Sequence, residues 1–235
     1  MNELSEQKTE VSPEKRKVIR ALIISSGFVL ILYIIRIVES TFNLNFTELG
    51  ILPREVSGLK GILLAPLIHA DYLHLFSNSL PLLVSVFFIV YAYPKSAVYV
   101  FIITYIFSGA GVWFLGREAY HIGASGLIFG FIAFLFCMGV LRKEKKSIGI
   151  SLIIVFLYGG TLCGILPTDP SVSFESHLFG FTIGVICSLI FKNRDEYTEK
   201  YDWENEDDDE DDDEDDDKND DDDNDDFNDN NYKDI

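Results

Sequence analysis

Six apolar runs, each close to the length of a membrane crossing, constrain this chain of 235 residues more than any other feature. They are Val18–Val38, Leu75–Tyr93, Ala97–Leu115, Ser125–Leu141, Ser147–Leu166 and Ser176–Phe191. A transmembrane helix needs about 20 predominantly apolar residues. In hydrocarbon the backbone must pair its own N–H and C=O groups, so runs of this kind become helices. The expectation is an all-α membrane protein, a bundle of six transmembrane helices. A seventh apolar stretch, Gly61–Ala70, is too short to span and contains Pro66. We read Thr41–Tyr72 as a structured outer loop that lies partly in the membrane interface.

Basic residues test this topology, because they accumulate on the cytoplasmic side. With the N-terminus inside, twelve lie inside: Lys8, Lys15, Arg16, Lys17, Arg20, Lys95, Arg142, Lys143, Lys145, Lys146, Lys192 and Arg194. Four lie outside: Arg36, Arg54, Lys60 and Arg117. Both termini are therefore expected in the cytoplasm. The first apolar run lacks a small-residue cleavage site and is expected to stay as an anchor. The N-terminus is not Arg- and Ser-rich like a transit peptide, which fits a multi-pass protein of a prokaryotic cell membrane.

The formal charge of −18 hides a segregation. Tyr201–Ile235 carries 22 acidic residues against Lys218 and Lys233, whereas the remaining 200 residues carry a net charge of only +2. Three parts follow: an N-terminal cytoplasmic segment (1–17), a membrane domain (18–191) and an acidic cytoplasmic tail (192–235). Like charges at this density repel and bury little, so the tail is expected to be disordered. It is either a solvated tail or a docking arm for a basic partner or divalent cations. It lacks the glycine turn of an EF-hand loop. Cys137, Cys163 and Cys187 lie in apolar segments with no metal-knuckle spacing, as reduced structural thiols would.

Polar groups inside membrane spans are costly, and each needs an account. His74, Asn78, Ser125 and His177 all fall near the outer ends of the second, fourth and sixth runs. His74 and Asn78, four apart, share a helix face. They are either a structural pair bonding across helices or two donors aimed at negative charge on an attacked carbonyl. His69 is read as a structural or interfacial histidine. Ser125 lies in Gly123-Ala124-Ser125-Gly126, a short motif that is weak alone because small residues are common in membrane helices. A helix starting there would offer unpaired N–H groups to an oxyanion. Gly126 and Gly130 are four apart, as are Gly180 and Gly184, and His177 shares a face with the second pair. These are either ordinary packing glycines or the seam that brings Ser125 to His177.

In order and placement these residues resemble the rhomboid family of intramembrane serine proteases. The resemblance rests on His69-Ala-Asp-Tyr-Leu-His74-Leu-Phe-Ser-Asn78, on Gly123-Ala-Ser125-Gly126 and on His177-Leu-Phe-Gly180-Phe-Thr-Ile-Gly184, and covers roughly Val18 to Phe191. It implies a rhomboid-like bundle of six helices around a water-accessible cavity, with the serine below the membrane surface. The length of the fourth run agrees: Ser125–Leu141 reaches ~24 Å at ~1.5 Å per residue, less than the ~30 Å hydrocarbon core. It also implies roles: Ser125 as nucleophile, His177 as general base, and His74, Asn78 and the Ser125 N–H as oxyanion donors. Loss of one such donor costs about 3–4 kcal/mol of transition-state stabilisation.

Three positions depart from the family pattern. Phe129 stands where many members have a tyrosine stacked on the histidine. No Trp-Arg pair occurs in the first outer loop, and Ser176 replaces a frequent alanine. None removes the Ser-His dyad. The expected activity is hydrolysis of peptide bonds in or near the transmembrane segment of single-span proteins, with no cofactor, no metal and no nucleic-acid partner. The alternative within the superfamily is a non-proteolytic binder of membrane clients, and a small transporter is the third class. No His-Glu-x-x-His motif and no pair of intramembrane aspartates support the other intramembrane protease chemistries.

Overall fold

The computed structural model describes residues 12–167 and 172–195. Residues 1–11 of the expected N-terminal segment and 196–235 of the expected acidic tail lie outside the described residues. The described chain is helical, with one isolated β-bridge between Ile51 and His121 and no strand among the described residues.

The first helix, α1 (Pro13–Thr41), starts five residues before the first apolar run. Ser12 caps it by accepting the Lys15 N–H at 3.3 Å, and Pro13 occupies the first helical position, where its missing N–H is no loss. The outer loop is structured, as expected. It carries three 3₁₀ turns (Thr47–Leu49, Val56–Gly58, Ala65–Leu67) and the short α2 (Gly61–Leu64). Gly61 permits this fold, because a Cβ there would collide with the backbone of Gly50 and Ile51.

Four long helices follow the runs closely: α3 (Tyr72–Ala92), α4 (Ala97–Leu115), α5 (Ser125–Arg142) and α7 (Phe174–Phe191). The fifth run differs. Its α-helix, α6 (Lys145–Tyr158), has 14 residues, and a 3₁₀ stretch, Gly159–Ile165, continues it. Gly159 and Gly160 explain the change, since glycine costs about 1 kcal/mol in a helix interior. Among the described residues, five helices (α1, α3, α4, α5 and α7) are therefore long and apolar enough to cross a membrane, rather than the six expected.

Helix α5 is the centre of the bundle. Buried residues make up 67% of its apolar window, against at most 39% in the other four. It packs on α7, α6, α3 and α4, while α1 leans on α3 at the edge. The contact of α5 with α7 is a glycine seam. A Cβ on Gly180 would overlap the Gly126 carbonyl, and one on Gly184 the Gly130 carbonyl. Asp195 is buried, and its carboxylate accepts the Lys95 N–H at 2.7 Å and the Ser96 hydroxyl, closing the start of α4.

Candidate active site

The first turns of three helices border one cavity of about 560 Å³. Helix α3 contributes His74 and Asn78, α5 contributes Ser125 and Phe129, and α7 contributes His177. All four polar residues singled out in the sequence are thus brought together. No hydrogen bond joins Ser125 to His177 among the described residues.

His74 lies in the first turn of α3 because the helix begins at Tyr72, three residues before the apolar run. Asp71 caps that start, its Oδ1 accepting the His74 N–H at 2.7 Å. Asn78, one turn on, is buried, and its Nδ2 donor has no partner among the described residues. A buried amide donor without an acceptor is costly unless something occupies it in function.

Ser125 is the first residue of α5. Its N-cap is Ala124, whose methyl group cannot accept a hydrogen bond, so the N–H groups of the first turn have no side-chain acceptor. The turn before it depends on Gly123, which has φ of +110°. This left-handed conformation suits glycine. A Cβ there would also lie 2.8 Å from His74 Cε1, which shows how closely the Gly123–Ser125 turn lies on His74. Behind the turn, His69 is buried, its ring edge-on to His74 with centroids 5.1 Å apart. Its Nε2 faces the Ala124 N–H at 3.4 Å, so His69 supports the serine turn from inside the protein. Burial, with the neighbouring His74 adding to it, pulls the His69 pKa down to about 3.

His177 is fixed on two sides. Its ring stacks on Phe129, with centroids 4.0 Å apart and planes at 8°. Its Nδ1 lies 2.8 Å from the Gly164 carbonyl oxygen. A carbonyl only accepts, so Nδ1 carries the proton, and in the neutral ring Nε2 keeps its lone pair. Gly164 sits against both rings: a Cβ would fall 3.1 Å from His177 Nδ1 and 3.2 Å from Phe129 Cζ. Sequence reading missed this partner, because a backbone carbonyl leaves no residue-type signature.

It also missed the polar strap over the start of α7. Arg117 donates through its Nη2 to the Val172 carbonyl at 2.7 Å and pairs with buried Glu175 at 3.5 Å. His121 Nε2 meets the Arg117 carbonyl at 3.1 Å, while Nδ1 meets Ser173 Oγ at 2.6 Å. The carbonyl assigns the proton to Nε2, so the Ser173 hydroxyl donates to Nδ1. Ser173 in turn caps α7. Burial lowers the His121 pKa, which keeps the ring neutral in this arrangement. His121 and Ser173 both border the cavity.

The fold and cavity define a multi-pass helical membrane protein with serine and histidine side chains at the rim of its buried core. The Rhomboid domain family matches residues 57–194. Uncharacterized proteins of Mycobacterium bovis and Mycobacterium tuberculosis are each 36% identical over 172 residues, covering 69% of this chain and 72% of theirs. One from Mycobacterium leprae is 32% identical over 180 residues, covering 73% and 71%. The chain belongs to the rhomboid family, whose members are generally intramembrane serine proteases and include some inactive ones.

Proposed function

We propose that this protein is an intramembrane serine endopeptidase acting on single-span membrane proteins. The observation that carries this reading is the convergence of Ser125, His177, His74 and Asn78 on one cavity. In the reaction, His177 Nε2 takes the Ser125 hydroxyl proton as Ser125 Oγ attacks the scissile carbonyl carbon. The carbonyl π bond opens and its oxygen gains negative charge, met by Asn78 Nδ2, His74 and the Ser125 N–H. The tetrahedral intermediate collapses, the C–N bond breaks, and the histidinium returns its proton to the leaving amine. Water then repeats the cycle on the acyl-enzyme and releases the carboxylate product. The Gly164 carbonyl supports this scheme by holding His177 in the tautomer that a base requires.

The basic-residue asymmetry supports cytoplasmic termini with the cavity opening on the other side, and the mycobacterial relatives support a prokaryotic cell membrane. In this reading a basic partner would be recognised by the acidic tail, 192–235. The test is cleavage of a model single-span substrate by the reconstituted protein, paired with labelling by a fluorophosphonate probe. Ser125→Ala and His177→Ala are each expected to abolish cleavage while the protein stays folded, and Ser125→Ala to abolish labelling. Undiminished cleavage by Ser125→Ala would overturn the assignment. A wild-type protein that neither cleaves nor labels would favour the client-binding alternative.

A further inference from the structure

A second cavity, of about 420 Å³, lies away from the candidate active site between α1, α3 and α4. Its wall is almost wholly apolar: Ile24 and Ile31 of α1, Val86 and Ile89 of α3, Phe101 of α4, with Phe131 of α5 at the floor. One charged residue borders it, Arg20, at one end. Arg20 is exposed and makes no hydrogen bond or ion pair among the described residues. We infer that this groove is a binding site for one acyl chain of an anionic phospholipid, with the phosphate at Arg20.

Three observations commit the site to that occupant. Arg20, Ile24, Gly27 and Ile31 lie on one face of α1, charge first and apolar after, which is the order of a lipid from head to tail. From Arg20 to Ile31 the helix rises ~16 Å at ~1.5 Å per residue, about half of a ~30 Å hydrocarbon core and therefore one leaflet. The third is Gly27. Glycines in membrane helices usually let a neighbouring backbone approach, yet no heavy atom lies within 4 Å of where a Cβ on Gly27 would sit. Gly27 leaves space in the groove instead of closing it.

The anion attraction comes from the basic end of α1. The nearby start of α4 is already satisfied by the Asp195 carboxylate, so it offers no competing anion site. Basic pockets between membrane helices on the cytoplasmic side are suited to anionic headgroups. The chain's own first eleven residues are mostly polar and a poor match for an apolar wall.

The experiment uses the full chain in phosphatidylcholine vesicles containing either phosphatidylglycerol or phosphatidylcholine with a photoactivatable acyl chain, and maps the labelled peptides. Wild type is expected to be labelled on α1 and α4 about fivefold more by phosphatidylglycerol, the factor for one basic group near an anionic surface. Arg20→Gln is expected to bring that ratio close to one while the groove is still labelled. Gly27→Phe, whose Cβ meets no heavy atom within 4 Å and whose ring would occupy the groove, is expected to abolish groove labelling by both lipids while the protein stays folded. Equal labelling of wild type by the two lipids, or groove labelling that survives Gly27→Phe, overturns the inference. So does a chain-to-chain cross-link through α1 that Gly27→Phe removes, since a second copy would then fill the groove.

Discussion

Among the described residues no carboxylate bonds His177; a ring face on Phe129 and a carbonyl on Nδ1 hold it, and under the proposed mechanism they take the place of the third member of a hydrolase triad. Phe129 also answers the departure at its position, since stacking needs the ring and not the hydroxyl. Opposite, Asn78 Nδ2 is buried without a partner among the described residues, and under the proposed mechanism it would be satisfied when an oxyanion forms. Asn78→Ala and His74→Ala are each expected to lower kcat by about 10²–10³-fold, measured on a model substrate. Fluorophosphonate labelling of Ser125 should then persist at a reduced rate. His69 sets a pH dependence. Its pKa falls from the usual 6.5 to about 3 on folding, so between those values the unfolded chain binds more protons than the folded one. Stability is therefore full above about pH 6.5 and declines as the pH falls below it. The unfolding temperature in detergent is expected to drop between pH 7 and pH 5. His69→Gln, whose amide oxygen can still accept the Ala124 N–H, should flatten that slope.

At the scale of elements, the seam between α5 and α7 decides whether serine and histidine share a cavity. Gly180 and Gly184 meet carbonyls of α5 with no room for a methyl group, so a side chain there must push the helices apart. Gly180→Ala is expected to cost about 1–3 kcal/mol of stability, the range for overpacking a close contact. Cleavage should fall more steeply than stability, because small displacements of the reacting groups are amplified in rate. Gly149→Ala on α6, where a Cβ meets nothing within 4 Å, is the control expected to leave cleavage unchanged and to raise stability by up to about 1 kcal/mol. The glycine-led end of α6 has a second consequence. The 3₁₀ stretch that shortens this helix places the Gly164 carbonyl on His177, so an element break that looks like a weak span is part of how the histidine is held.

Across the whole molecule, the cavity draws on α3, α5, α7, the connection between α4 and α5, and the residues just before α7. Every residue bordering it lies between Ala70 and His177, and the family match ends at residue 194. Deleting residues 197–235 is therefore expected to leave cleavage of a model substrate unchanged in detergent. A loss of turnover on truncation would instead give the tail a role in catalysis. The helices were legible in the sequence because hydrocarbon forces apolar runs into hydrogen-bonded helices, and Ser125, His177, His74 and Asn78 were legible because polar groups in such runs are expensive. The glycine pairs were visible too, though their alternative as ordinary packing residues stood until the seam itself was seen. The acceptor on His177, the support of the serine turn by His69 and the Arg117–Glu175 and His121–Ser173 strap were not legible. They join residues 13 to 58 positions apart through carbonyls, single hydrogen bonds and an ion pair, none of which has a period or a motif. By itself, then, the sequence determined which segments become helices and which side chains must be explained. Only the tertiary structure decided how those side chains are oriented, because orientation depends on distant backbone groups that become neighbours only when the helices pack.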